Sequence, residues 1–78
     1  MSAKKLKTVI AFYTTADAME TEDILTSNGI SGKLIPVPRE ISAGCGIAWA
    51  MPVDDYNNIP HNIRSILPEP EQIAEIMC

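Results

Sequence analysis

The fold class this sequence predicts is α+β: a ferredoxin-like split βαβ sandwich, β-α-β-β-α-β, with the helices on one face of an antiparallel sheet. Three observations lead there. Apolar runs of strand character recur at Leu6–Tyr13, Ile30–Pro38 and Gly46–Met51. A charged stretch with helical end signals separates the first run from the second. Only the loop Arg39–Gly44 separates the second from the third, so the third strand points back along the second. A thioredoxin-like or other small α/β layout is the competing arrangement.

Leu6–Tyr13 holds Val, Ile, Phe and Tyr without a breaker and is apolar on both faces, which suits a central strand. Thr14 with Asp17 three residues later fits a capping box. The helix it opens runs from about Ala16 to Ser27. Ala18, Leu25 and one of Met19 or Thr21 form its inner face, and Glu20, Glu22 and Asp23 lie outward. Asn28-Gly29 is the stop, because glycine tolerates the left-handed conformation. In the second strand Pro36 and Pro38 remove two ladder donors, which places it at a sheet edge.

The third strand puts Ile47, Trp49 and Met51 on one face and Ala48 and Ala50 on the other. The small face lets another backbone approach closely, and Trp49 belongs to the core. Pro52–Asp55 reads as a turn into a second helix with Asp54 or Asp55 as N-cap. With Pro60 in its first turn, that helix spans about Ile59–Leu67 and buries Ile63, Ile66 and Leu67. Pro68-Glu69-Pro70 ends it, and Glu71–Cys78 forms the last strand.

Residues 1–78 read as one small α+β domain. A chain of this size buries only roughly 60% of its unfolded surface, so a homo-oligomer falls within expectation. The net charge is −4, from 6 Lys and Arg against 10 Asp and Glu. Such a surface repels phosphate backbones, and aromatic residues are too few for a base-stacking platform; nucleic acid is therefore not an expected partner. Lys4, Lys5 and Lys7 read as a solvated tail. No apolar run approaches the roughly 20 residues that span a bilayer, and the N-terminal pattern is not that of a secretory leader. The expectation is a cytoplasmic protein without a membrane partner, whose two cysteines are free thiols.

No cofactor or metal is expected. His61 is the only histidine and has no Cys-x-x-Cys or His-x-x-x-His pattern beside it. Asp54-Asp55 suits capping. Gly44-Cys45-Gly46 lacks the length and the lysine of a phosphate loop.

The predicted strand order, 4-1-3-2, turns part of the chain into a site. The end of the first strand, the start of the first helix, the end of the second strand and the start of the third share one rim. Those places are Thr14-Thr15, Ala16-Asp17, Pro38-Arg39 and Gly44-Cys45. Cys45 is therefore expected near a helix N-terminus and near Arg39, both of which favour a thiolate. Thr14, Thr15 and Arg39 are the candidate anion-stabilising residues. Asp17 and Glu40 oppose a second negative charge. Pro36 and Pro38 stiffen the loop that also contains Glu40 and Ser42, while Gly44 and Gly46 leave the sulfur uncovered. The competing reading makes Cys45 a small buried hydrophobe at a strand start. Cys78 ends the last strand at the opposite rim, about 15–20 Å away by strand length, too far for a disulfide with Cys45.

The run Leu34-Ile35-Pro36-Val37-Pro38-Arg39-Glu40-Ile41-Ser42, followed by Cys45-Gly46-Ile47-Ala48, is preceded by a helix with Ala18, Glu22, Leu25, Gly29 and Ile30. Over roughly residues 8 to 51 this pattern resembles a family of small bacterial domains described as selenium/sulfur carrier protein-like. The resemblance implies that Cys45 and Arg39 belong to that family's characteristic site. It implies a persulfide or selenosulfide carried on Cys45, with sulfur or selenium donor and acceptor proteins as partners. No second residue looks like a general base, so the expectation is a carrier and not an enzyme. The alternative is a non-catalytic binding or regulatory module in which Cys45 is structural.

Overall fold

A computed structural model describes residues 5–41 and 44–78. Lys4 of the basic tail and Ser42 of the loop lie outside the described residues. The elements follow as β1 (Leu6–Ala11), α1 (Thr15–Ser27), β2 (Lys33–Pro36), β3 (Ile47–Pro52), α2 (Val53–Asn57), α3 (His61–Arg64) and β4 (Gln72–Met77). They form one sheet in the order β2-β3-β1-β4, with every neighbouring pair antiparallel. This is the predicted strand order, with β1 central and the proline-bearing β2 at an edge. Among the described residues no helix is long and apolar enough to cross a membrane.

Helix α1 starts where its first free amide finds a partner. Thr14 is extended, at φ −136° and ψ 156°, and its Oγ1 accepts a hydrogen bond from the Asp17 amide at 3.1 Å. The helix stops at Asn28, and Gly29 takes φ 71°. Ala18, Thr21 and Leu25 are its buried residues, and Met19 is exposed. Thr14→Ala is expected to lower stability by about 1 kcal/mol. Urea unfolding checks this: the midpoint should fall with the slope unchanged.

Strand alternation divides the core in two. On the helix side, Ile10, Phe12, Trp49 and Met51 of the sheet meet Ala18 and Leu25 of α1 and Ile59 of the α2–α3 link. Helix α1 packs over β2 and β3, and α2 over β1 and β3. The opposite face is built from Val9, Ala11, Ala48, Ala50 and Ile76, a trough of mostly small side chains. Ile41 drops into it from the β2–β3 connection, joined by the half-buried Val37. The chain after β2 thus folds back onto the helix-free face, where alanines leave room for it.

Several elements differ from the sequence reading. β2 is shorter than Ile30–Pro38, because Gly32 takes φ 152° directly before it and Ile30 turns into the helix-side core. The second helix is split. Pro52, not Asp54 or Asp55, occupies the N-cap of α2, and both aspartates lie in its first turn. Pro60 then caps a separate single turn, α3. Ile66 is 59% exposed instead of buried, Ile63 and Leu67 are half-buried, and Ile59 is the buried residue of this region.

Candidate functional site

The β1–α1 junction and the start of β3 meet at one rim. Cys45 stands just before β3, and its thiol donates toward two main-chain carbonyls, those of Phe12 at 3.3 Å and Ile47 at 3.2 Å. Phe12 lies two residues before the Thr14 cap, so the sulfur sits beside the chain entering α1. The residue is half-buried and packed against the helix-side core. Gly44 crosses close to the same junction: a Cβ there would lie 3.6 Å from the Tyr13 carbonyl oxygen.

Two further hydrogen bonds fix the loop. The Val37 amide donates to the Gly46 carbonyl at 3.1 Å and closes the loop at its base. The Gly44 amide donates to Glu71 Oε1 at 3.3 Å. Glu71 is itself held, its amide donating to the Ala11 carbonyl at 2.8 Å. Gly46 takes φ 78°, a conformation that disfavours a side chain, and sits in open space. The turn out of Cys45 therefore depends on this glycine.

The rim gathers Thr14, Gly44, Cys45 and Gly46, together with Glu71 from the start of β4. Sequence reasoning did not name Glu71. The signal for it was topological: β4 runs antiparallel to β1, so its first residues must share the rim at which β1 ends. The two carbonyls facing the sulfur were equally unlabelled by residue type. Thr14 and Thr15 are exposed, and Thr14 Oγ1 is engaged in capping. Arg39 and Glu40 are exposed on the loop, and Arg39 is not among the sulfur's hydrogen-bond partners. Pro36 is exposed and Pro38 half-buried.

Cys78 lies at the far end of β1, where its amide donates to the Lys5 carbonyl at 3.0 Å and its carbonyl accepts from Lys5 at 3.3 Å. Both cysteines are free thiols. The length of β1 separates them, on the order of 20 Å, so no bridge forms between them. Among the described residues, His, Cys, Asp and Glu side chains nowhere gather in a group of three that could hold a metal ion.

Chemically, the rim offers one half-buried free thiol, fixed by its neighbours' main chain and flanked by glycines. No curated protein and no solved structure matches the chain. A family model described as "Putative Se/S carrier protein-like" matches residues 7–75, a span that takes in β2 and β3, most of β1 and β4, and the whole Cys45 rim, and the chain belongs to that family.

Proposed function

We propose that this protein carries sulfane sulfur, or selenium in the same oxidation state, on Cys45 between a donor and an acceptor protein. The observation that carries the reading is the half-buried Cys45 thiol at the β1–α1 junction, held by two main-chain carbonyls in a chain of this family. In the loading step the Cys45 thiol loses its proton to solvent. The thiolate attacks the terminal sulfur of a donor persulfide. A new S–S bond forms on Cys45, the donor's S–S bond breaks, and the donor leaves as its thiolate. Delivery is the same exchange in reverse: an acceptor thiolate takes the terminal sulfur and Cys45 is regenerated. Each exchange is redox-neutral overall and needs no cofactor.

The loop residues have distinct parts in this reading. Gly44 and Gly46 leave space for a partner's sulfur to approach. Arg39, exposed on a stretch stiffened by Pro36 and Pro38, together with Thr14 and Thr15, supplies donors and positive charge to the departing or arriving anion. Glu40 and Ser42 complete the loop. The attacking sulfur forfeits its two carbonyl contacts, since a thiolate has no hydrogen to give them, and turns outward toward the partner.

The test uses reduced protein, a cysteine desulfurase and free cysteine, read by intact mass. Wild type and Cys78→Ser should gain the mass of one sulfur atom, and Cys45→Ser should gain none. Loading on Cys78, or loading that survives Cys45→Ser, would overturn the proposal. Serine can donate to the same two carbonyls, so the variant should keep its fold.

A second reading has a specific observation in its favour. The contact of Cys45 with the Phe12 carbonyl ties the start of β3 to the chain leaving β1, as a structural latch would. In that case the domain is a binding module, and Cys45→Ser retains full partner binding while wild type takes no sulfur from the desulfurase.

A further inference from the structure

A cavity of about 160 Å³ lies under the broken second helix, on the helix side of β1 and β4. Its lining is mostly apolar, led by Ile10, Phe12, Leu67 and Ile73. Cavities of about 150 Å³ with such walls admit a benzene-sized body. Four lining residues carry polar groups that break the apolar wall: Thr21, Tyr56, Arg64 and Glu69. Thr21 is 1% exposed, and its Oγ1 has no hydrogen-bond partner. Buried hydroxyls are normally satisfied, so this one is open to a partner from outside the protein, a water or a ligand.

The charges are arranged with equal economy. The Arg64 guanidinium stacks over the Tyr56 ring, 4.4 Å from its centroid, and one of its nitrogens donates to the Tyr56 carbonyl at 2.6 Å. That contact holds the cation at the wall and leaves further donors free. Glu69 stands on the same wall, yet the two form no ion pair with each other or with any other described residue. A lone water would satisfy Thr21 but would answer neither charge nor the apolar walls.

We propose that this cavity binds an α-amino acid with an apolar side chain. The carboxylate meets Arg64, the ammonium meets Glu69, the side chain fills the space over Ile10, Phe12 and Ile73, and Thr21 Oγ1 hydrogen-bonds the ligand's polar end. An anion alone would leave Glu69 repelled, and a cation alone would leave Arg64 so. The site is separate from the Cys45 rim, although Phe12 touches both: its side chain lines the cavity while its carbonyl accepts the thiol. The inference therefore stands whether or not Cys45 carries sulfur.

The test is amide chemical-shift mapping of the intact chain titrated with leucine and phenylalanine, beside 4-methylpentanoate and isopentylamine, leucine without its amine and without its carboxylate, as half-ligands. At least one of the amino acids should shift amides around Ile10, Thr21, Arg64 and Ile73 in a saturable way. Each half-ligand should bind about tenfold or more weakly, the loss of one charge-assisted contact. Glu69→Gln, an exposed position, should weaken the amino acid by a similar factor while leaving 4-methylpentanoate unchanged or tighter. Absence of saturable shifts with both amino acids would overturn the assignment. So would equal binding of a half-ligand, or binding insensitive to Glu69→Gln.

Discussion

Gly32→Ala should destabilise the domain by about 2–5 kcal/mol, the combined order of magnitude of a steric clash and a disfavoured backbone conformation. Gly32 lies flat against the indole of Trp49. A Cβ there would sit 2.5 Å from Cζ2, 2.6 Å from Cε2 and 2.7 Å from Nε1 of that ring, and the residue's φ is 152°. Trp49 is fully buried beneath α1 and cannot give way without disturbing Leu25 and Met51. A domain of this size has a total stability of roughly 4–12 kcal/mol, so the loss is a large share of it. Thermal and urea unfolding measure it directly. The double variant with Trp49→Phe separates the two causes: the smaller ring relieves the clash but not the backbone, and a coupling of about 1–2 kcal/mol is expected. An unchanged unfolding midpoint for Gly32→Ala would show that the close approach is not a constraint.

Ile41→Ala should undock the β2–β3 connection and raise the reactivity of Cys45 toward a thiol reagent by about tenfold or more. Ile41 is 9% exposed, seated among Val9, Ala11, Ala48 and Ala50 on the helix-free face. Truncating a buried isoleucine to alanine costs about 2 kcal/mol or more. Here the connection can lift while the sheet stays intact, so the loss in global stability should be smaller than the loss in local protection. The rate of modification by a chromogenic disulfide, set beside the urea midpoint, makes that comparison. A variant whose thiol reacts at the wild-type rate would mean that Ile41 does not govern access to the sulfur.

The strand order was legible because the order of elements leaves few alternatives. A right-handed crossover through α1, followed by a direct return from β2 into β3, puts β3 between β1 and β2. The placement of Cys45 beside the chain entering α1 followed from that order. The second helix was not legible in the same way. Ile63, Ile66 and Leu67 have helical spacing, yet the helix that Pro60 caps ends at Arg64, one turn on, so Ile66 and Leu67 lie beyond it and Ile66 ends up exposed. Proline marks a break without saying how much helix survives on each side. The trough that receives Ile41 was half legible: Ala48 and Ala50 announced a close approach, but nothing in them said that the chain's own loop would make it.

The pairing of β1 with β4 has a consequence for how the site comes into being. A ribosome releases β1 first and β4 last, with nearly the whole domain between them. Until Gln72–Met77 emerges, one edge of the central strand stays unpaired, and so does the carbonyl of Ala11 that later receives the Glu71 amide. Local pieces such as α1 and the β2–β3 hairpin can form early, whereas closing so long a loop is slow. Glu71 reaches the Gly44 amide only when that last strand docks. During synthesis, therefore, the clasp on the loop beside Cys45 is among the final contacts to close, and a nascent chain exposes this thiol before its surroundings are complete.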